Sequence, residues 1–325
     1  MDIVYASNDN YARHLAVSMY SLMDHNQLAD RIRIFVLSVN ISKENEERLL
    51  AVARRFEREL VFLPMGDPAA RFPYAVETGG FDISTMSRLF IGSMLPEDVR
   101  RVLYLDCDTV VLASLRRMWE IDLKGKVMGA VPEPTIYPEL KEPLGLEKDD
   151  PYFNAGVLLV DLEEWRRQKV EEQLLEFYGR LGGKTFGCDQ DILNGTLKGK
   201  IRVLSPKYNF FTNYRYFRWK DLVKKSPSYG VIPEKLFKQA KHHPAILHYA
   251  GDERPWRAGN LGHYRAAYEQ YLMMTPWKGT KKEEGKGQRI YLLAYHLMDY
   301  LTWVCPAVRW WISDRFGMQV VNRRK

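Results

Sequence analysis

The sequence has few cysteines and no long uncharged apolar run. Cys107, Cys188 and Cys305 lie far apart, are odd in number and lack metal-ligand spacing, so they predict neither a disulfide framework nor a zinc site and indicate a reducing compartment. No apolar run reaches the roughly 18 residues that a membrane-spanning helix needs. Residues 1–10 do not show the basic stretch followed by an apolar stretch that marks a secretory signal peptide. We therefore expect a cytoplasmic, not a secreted, protein.

Positive charge is concentrated at one end of the chain. The 325 residues carry a formal net charge of +7 and a pI near 9.1. Residues 276–325 alone hold ten Lys or Arg against four Asp or Glu. The preceding body is nearly neutral, which argues against a basic nucleic-acid groove and for a charged tail. We expect no nucleic-acid partner.

Short apolar runs alternate with amphipathic stretches. Strands are predicted at 3–6, 31–38, 60–63, 102–105, 127–131, 153–161, 201–204 and 246–249, and helices at 11–25, 42–59, 83–93, 162–181 and 189–197. This alternation indicates right-handed βαβ units, and so an α/β fold with a single Rossmann-like nucleotide-binding domain and a mainly parallel central sheet. Ligands of such a sheet lie beyond the carboxyl ends of its strands.

The composition changes after residue 275. We predict a catalytic domain at 1–275 and a basic, aromatic helical tail at 276–325, joined by a flexible Lys/Glu/Gly linker at 278–289.

Two carboxylates follow the predicted strand at 102–105. In "RVLYLDCDTVVL", Asp106 and Asp108 point the same way along an extended chain. Such a pair can hold a hard divalent cation that neutralises a diphosphate. Two alternatives stay open. One is a solvated acidic turn, the commoner outcome for a lone DxD. The other is a haloacid-dehalogenase-type phosphatase, in which Asp106 would be the nucleophile, although that motif normally follows the first strand of its domain.

A histidine closes the predicted strand at 246–249. In "AILHYAGDERPW", His248 is followed by a loop that contains Gly251 and Arg254. An imidazole beside two carboxylates suits Mn²⁺ better than Mg²⁺, and a guanidinium suits phosphate. Taken alone, His248 is more often a strand-end histidine with a satisfied hydrogen bond.

Six sequence blocks occur in a fixed order over residues 1–270. They are "DIVYASNDNYARHLAVSMYSL", "STMSRLFIGSMLP", "LYLDCDTVVL", "YFNAGVLLVDLEEWR", "CDQDILN" and "LHYAGDERPW". In these blocks the chain resembles glycosyltransferase family 8, which contains glycogenin and bacterial lipopolysaccharide galactosyl- and glucosyltransferases. The resemblance implies a GT-A type fold and a retaining, metal-dependent transfer of glucose or galactose from a UDP-sugar to a saccharide or glycolipid acceptor.

The resemblance also implies a role for individual residues. The expected metal ligands are Asp106, Asp108 and His248, with Mn²⁺ as the cofactor and Mg²⁺ as the alternative. The expected nucleotide-sugar contacts are Ala6, Ser7, Asn8, Asn10, Arg88, Asp106, Cys107, Asp108, Gly251 and Arg254. The chain departs from the family pattern at two of them. Asn8 stands where Asp is frequent, and Arg254 stands where Lys is usual, so a planar fork replaces a point charge.

The transferred sugar is expected to meet Asn154, Asp189 and Gln190, with Arg88 as a further catalytic group. Double displacement needs a carboxylate nucleophile, whereas Gln190 is an amide. We therefore favour same-face substitution, in which the departing UDP phosphate takes the acceptor proton.

An acidic residue lies near the start of a polar segment. Glu133 matches an acceptor-binding acidic residue of some relatives, although it can equally be an exposed loop carboxylate. Residues 132–150 form a candidate lid over donor and acceptor.

Two aromatic segments remain. Residues 208–219 suit stacking on an acceptor sugar, contact with lipid headgroups, or core packing. Residues 290–316 are apolar but interrupted by charge, and the chain ends in "NRRK". This pattern predicts helices in the interface of an anionic membrane, with Trp303, Trp310 and Trp311 at headgroup depth, and hence a peripheral protein on the inner face of the cell membrane. The alternative is a helical hairpin packed on the body or on a second copy.

A catalytically silent sugar-nucleotide or membrane-binding protein is a further alternative for the whole chain.

Overall fold

A computed structural model describes residues 1–134, 138–312 and 315 and contains ten strands in two sheets. The strands are β1 Asp2–Asn8, β2 Arg33–Val39, β3 Glu59–Pro64, β4 Arg101–Leu105, β5 Thr109–Val111, β6 Met128–Pro132, β7 Phe153–Asp161, β8 Ile201–Val203, β9 Phe210–Phe211 and β10 Ile246–His248.

The larger sheet has seven strands in the order β3-β2-β1-β4-β7-β6-β8. Its neighbours run parallel except at β7, which is antiparallel to both β4 and β6. The predicted α/β fold with a mainly parallel central sheet is therefore confirmed. Strand β7 also matches its predicted bounds, and eight of its nine residues are buried, all of them apolar or glycine except Asn154.

Helices cover both faces of the large sheet. They are α1 Ala12–Asp24, α2 Lys43–Arg54, α3 Ile91–Met94, α4 Arg116–Trp119, α5 Pro138–Lys141, α6 Leu162–Arg167, α7 Val170–Arg180, α8 Asp189–Thr196, α9 Trp219–Lys225, α10 Glu234–His242, α11 Arg265–Leu272 and α12 Gln288–Val304. Alternate residues of β1 enter opposite cores. Ile3 and Tyr5 pack in the core that contains α1, and Val4 packs in the core that contains α7.

Three predicted helices differ from the observed ones. The helix predicted at 162–181 is two helices, α6 and α7, because Lys169 between them has a left-handed φ of 52°. The stretch predicted at 83–93 begins as a 3₁₀ helix, Ile83–Phe90. Ser42 does cap α2, accepting from the Asn45 N–H at 3.3 Å, but the helix ends before residue 59.

The second sheet has three strands in the order β5-β10-β9, with β10 antiparallel to β5 and parallel to β9. Strand β5 begins only four residues after β4 ends. This small sheet therefore joins the end of β4 to residues more than a hundred positions later in the chain.

The described part of the tail contacts the body at several points. The predicted linker is tied to the body at Glu283, whose N–H donates to the Trp256 carbonyl and whose carbonyl accepts from the Ala258 N–H, both at 2.8 Å. Helix α12 follows, and residues 306–312 are helical. Within the described ranges, no helix combines the length and apolar character needed to cross a membrane. Residues 135–137 of the predicted lid, and residues 313–314 and 316–325 of the predicted tail with its basic end, lie outside these ranges.

Candidate active site

A cleft of about 540 Å³ opens beyond the carboxyl ends of β1 and β4. It is lined by Ala6, Tyr11, Gly80, Phe81, Asp82, Ser84, Thr85, Arg88, Tyr104, Asp106, Cys107, Asp108, Glu133, Tyr152, Asn154, Ala155, Gly156, Phe186, Gly187, Asp189, Gln190, Phe211, His248, Ala250, Gly251 and Arg254. Residues from all six sequence blocks thus share one cavity, at the edge where a sheet of this type binds ligands.

Asp106, Asp108 and His248 converge in this cleft because of strand register. His248 pairs with Thr109, the residue directly after Asp108, and the Tyr249 N–H donates to the Asp108 carbonyl at 2.9 Å. The His248 Nε2 atom consequently lies 3.1 Å from Asp108 Oδ1 and 3.9 Å from Asp106 Oδ2. One imidazole nitrogen and two carboxylate oxygens form a donor set that fits Mn²⁺.

Hydrogen bonds fix which nitrogen of His248 carries a proton. The Gly156 N–H donates to Asn154 Oδ1, which also accepts from Asn209 Nδ2, both at 2.8 Å. Since this places the Asn209 amide nitrogen toward Asn154, its oxygen faces His248 Nδ1 at 2.9 Å. A carbonyl oxygen can only accept, so Nδ1 carries a proton. This is the arrangement that orients a histidine for metal binding through Nε2.

The charges of His248 and Asp108 stabilise each other. Burial alone would lower the pKa of His248, but the negative charge and hydrogen bond of Asp108 outweigh it and raise that pKa. Burial alone would raise the pKa of Asp108, and the nearby His248 reverses this and lowers it. Asp108 therefore stays ionised at neutral pH, as a metal ligand must.

Arg88 connects the carboxylates to the predicted sugar-binding residues. Its Nη2 donates to Asp106 Oδ1 at 2.8 Å, and its Nε lies 2.9 Å from Asp189 Oδ2. Tyr104 also donates to Asp106 Oδ1, at 2.9 Å. These bonds occupy one oxygen of Asp106 and leave Oδ2 facing His248. Burial raises the pKa of Asp189 to about 6, against the lowering effect of Arg88.

Gln190 and Asn154 meet at the carboxylate of Glu133. Gln190 Oε1 accepts from Asn154 Nδ2 at 2.8 Å and from the Ala155 N–H at 3.0 Å. Its amide nitrogen donates to Glu133 Oε2 at 3.0 Å, and Asn154 donates to the same oxygen at 3.3 Å. Glu133 is half-buried in the cleft, so the structure places it beside Gln190 and not in an exposed loop.

The residues predicted to bind the nucleoside are only partly brought together. Ala6 lines the cleft, and Cys107 lies beside it with its thiol donating to the Ala6 carbonyl at 3.3 Å. Ser7, Asn8 and Asn10 are not among the residues that line the cleft. Asn8 donates to Asp82 at 2.7 Å and accepts from the Tyr11 N–H at 3.1 Å, so it holds two residues that do line it.

Gly251 and Arg254 border the cleft on the side of β10. Gly251 has a φ of +64°, which a side chain rarely adopts, and no atom lies within 4 Å of the Cβ position. Arg254 Nε is buried and has no hydrogen-bond partner among the residues that the structure describes. A buried cationic donor without a partner beside a metal-binding group is suited to an anionic ligand such as phosphate.

Sequence reasoning missed four residues of this site. Asn209 orients His248, Tyr104 holds Asp106, and Phe211 stacks on the His248 ring with centroids 4.9 Å apart. Gly156 is the fourth, since a Cβ there would lie 2.4 Å from His248 Cε1 and 2.6 Å from Asp106 Oδ2. Phe211 belongs to the aromatic segment at 208–219, of which Phe210, Tyr214 and Phe217 are core residues. The "FNAG" block contains Gly156, but only tertiary packing shows its neighbours.

Known proteins are similar to this chain over most of its length. It matches "Glycosyl transferase family 8" over residues 2–259. It is 29% identical over 280 residues to general stress protein A of Bacillus subtilis (strain 168), covering 85% of this chain and 94% of that protein. It is 24% identical over 324 residues to a lipopolysaccharide 1,2-glucosyltransferase of Escherichia coli, covering 95% and 90%.

A solved structure supports the same relationship. The crystal structure of galactosyltransferase LgtC in complex with donor and acceptor sugar analogs superposes with a TM-score of 0.70 at 30% identity, covering 89% of this chain and 100% of that one. The resemblance to this family and the GT-A fold are thus confirmed. The phosphatase alternative receives no support, and Asp106, its nucleophile, is held by Arg88 and Tyr104.

Gly156→Ala is expected to impair metal binding selectively. The added methyl group overlaps the positions of His248 and Asp106, so Mn²⁺ affinity should fall by roughly ten- to a hundredfold, equivalent to about 1–3 kcal/mol of overpacking. Titration of Mn²⁺ followed by electron paramagnetic resonance measures this. Gly230→Ala is the control, because a Cβ there meets nothing closer than Val223 Cγ1 at 3.8 Å. Equal Mn²⁺ affinity in wild type and Gly156→Ala would contradict the assignment.

Proposed function

Because the chain belongs to glycosyltransferase family 8, we propose that it transfers glucose or galactose from a UDP-sugar to a saccharide acceptor, with retention of the anomeric configuration. The observation that carries this proposal is the convergence of Asp106, Asp108 and His248 beside Arg254 in one cleft. The similarity to a glucosyltransferase and a galactosyltransferase supports a hexose donor.

Asp106, Asp108 and His248 would hold Mn²⁺, with Mg²⁺ as the alternative. The fit rests on Nε2 of His248, which faces both carboxylates, on the Asp106 oxygen that Arg88 and Tyr104 do not occupy, and on the close approach that Gly156 permits. When bound, the cation neutralises the UDP diphosphate and makes it a better leaving group.

The side chains of the cleft then divide the remaining tasks. Arg254 offers its unpartnered Nε–H, and Gly251 its backbone, to the diphosphate oxygens as negative charge develops there. Asp189, buried and held by Arg88, binds sugar hydroxyls. The nucleoside lies toward Ala6 and Cys107, and Asn8 supports that wall through Asp82 and Tyr11.

Gln190 orients the sugar and does not attack it. Its oxygen already accepts two hydrogen bonds, and its nitrogen donates to Glu133. This arrangement, together with the weak nucleophilicity of an amide, favours same-face substitution in which the departing UDP phosphate takes the acceptor proton. Glu133, whose carboxylate faces the cleft from this side, binds an acceptor hydroxyl.

The tail supplies a surface for a lipid-linked acceptor. Helix α12 exposes an apolar stripe consisting of Ile290, Leu293, Leu297, Leu301 and Val304, which recur at helical spacing on one face. Trp303 and Trp311 are also exposed, whereas Trp310 packs on Phe217, with ring centroids 4.6 Å apart. The exposed cations Lys286 and Arg315 flank the helix. We place this face on an anionic membrane at the inner side of the cell envelope.

Loss of the metal site is expected to abolish catalysis, whereas loss of the Gln190 side chain is expected only to slow it. With UDP-glucose or UDP-galactose and Mn²⁺, the protein should release UDP, chelation should stop the reaction, and added Mn²⁺ should restore it. Asp108→Ala should abolish turnover because the cation site is lost. Gln190→Ala should slow it by roughly ten- to a hundredfold, as expected for lost positioning.

The measurements are a coupled UDP assay and the anomeric configuration of the product by NMR. Asp30→Ala, which removes an exposed carboxylate outside the cleft, is the control. Complete loss in both Asp108→Ala and Gln190→Ala would contradict same-face substitution. Binding of UDP-sugar without any release of UDP would favour a catalytically silent protein.

Substitution of the apolar stripe is expected to weaken membrane binding. In Leu293→Ser/Leu297→Ser/Val304→Ser, the apolar contact with lipid is reduced, so binding to liposomes that contain phosphatidylglycerol should fall at least about tenfold. Co-sedimentation measures this. Leu28→Ser removes a fully exposed leucine elsewhere and should bind as wild type does. Unchanged binding of the triple variant would refute the assignment.

A further inference from the structure

The turn that carries Gly251 and Arg254 has two sides. Gly251–Glu253 is a 3₁₀ turn that begins three residues after the end of β10. Gly251 and Arg254 line the cleft, but Asp252 and Glu253 between them contact the tail. The same four residues therefore meet the predicted diphosphate on one side and helix α12 on the other.

The tail-facing side contains a buried polar cluster, which we define as Glu253, His296, Asp299 and Arg309. His296 Nδ1 lies 2.9 Å from Asp299 Oδ2, and Arg309 Nη1 donates to Asp299 Oδ1 at 2.6 Å. A carboxylate oxygen of Glu253 lies within 4.8 Å of ligand atoms of both His296 and Asp299. Glu253, His296 and Asp299 are each at most 3% exposed.

Arg309 provides the positive charge that such a cluster needs. Two carboxylates buried together repel each other, and burial followed by the charge of Asp299 raises the pKa of Glu253 to about 7. His296 and Arg309 oppose that rise. Without the guanidinium, His296 would be the remaining positive group named beside the two carboxylates, and the contact between the turn and α12 would be weakened.

Two further contacts connect the tail to the site. Tyr291 of α12 donates to Asp252 Oδ2 at 2.8 Å. Thr212 donates to Glu253 Oε2 at 3.2 Å and directly follows Phe211, which stacks on His248. The cluster is therefore linked both to the turn and to the ring of a proposed metal ligand.

From these contacts we infer that α12 and Arg309 position the diphosphate-binding turn, so that the tail is part of the donor site although it does not line the cleft. The polar face of α12 holds Asp252 and Glu253 in place, and this fixes Gly251 and Arg254 in the cleft. The cluster acts through the turn and does not touch the donor. This inference rests on the proposed function only in taking UDP as the ligand.

The test is UDP affinity of the full-length chain in the presence of Mn²⁺, measured by calorimetry. Arg309→Met keeps an unbranched apolar stem but removes the charge, and should weaken UDP binding by roughly five- to twentyfold, the scale of losing a buried charge-assisted hydrogen bond. Arg309→Lys keeps the charge and should stay within about threefold of wild type. Tyr291→Phe removes the separate contact to Asp252 and should weaken binding by roughly two- to fivefold.

Kinetics distinguish positioning from general stabilisation. In Arg309→Met the KM for the UDP-sugar should rise while the KM for the acceptor stays constant, whereas a merely structural role would lower the melting temperature and leave UDP affinity unchanged. Ala294→Ser, at an exposed position of α12 outside the apolar stripe, is the matched control and should bind UDP as wild type does. If Arg309→Met does not fold, Tyr291→Phe decides the question.

The outcomes separate the two proposals. Wild type that binds UDP, together with unchanged affinity in Arg309→Met or, where that variant does not fold, in Tyr291→Phe, overturns this inference and leaves the proposed function intact. Wild type that fails to bind UDP with Mn²⁺ overturns both.

Discussion

The site depends on the antiparallel pairing of β5 with β10. This pairing sets His248 opposite Thr109 and therefore beside Asp108, although the two residues are 140 positions apart in the chain. A one-residue slip in register would turn the imidazole to the opposite face of the small sheet. The packing around it is equally restrictive, because Gly156 leaves no room for a side chain between His248 and Asp106. Fold and metal site are thus specified by the same few backbone positions.

Two polar networks extend from this pairing into the cleft. One runs from His248 through Asn209 and Asn154 to Glu133, and each amide in it is oriented by its neighbours. An ionised Glu133 can only accept, so His248 donates to Asn209, Asn209 to Asn154 and Asn154 to Glu133, and donation runs from the metal side of the cleft to the acceptor side. The other network runs through Arg88, which holds Asp106 and Asp189 at once. A fully satisfied network of this kind keeps side chains in place before any ligand binds.

The sequence predicted the elements whose signal is local. The bounds of β7 followed from a mostly apolar run, and the Ser42 cap from its position before a periodic stretch. The break between α6 and α7 was missed, since Lys169 in a left-handed conformation leaves no mark in the sequence. Asn209 was missed for a related reason: its role exists only because β9 pairs with β10. Asp106, Asp108 and His248 were recognised through the family pattern, and only the register explains why they meet.

The tail shows why amphipathicity alone did not decide its partner. His296, Asp299 and Arg309 interrupt an apolar segment, and at a membrane surface such residues would face water. In the fold they are turned inward onto Glu253, and the apolar residues are turned outward. Each large apolar side chain left in water forgoes about 1.5–3 kcal/mol of burial free energy, so the outward stripe is unfavourable unless something apolar covers it. If α12 were turned over, the apolar stripe would be buried, but the charged side chains of the cluster would lose their partners. The observed orientation satisfies the polar face through the protein and leaves the apolar face uncovered among the described residues, and it is this face that we propose for a lipid surface.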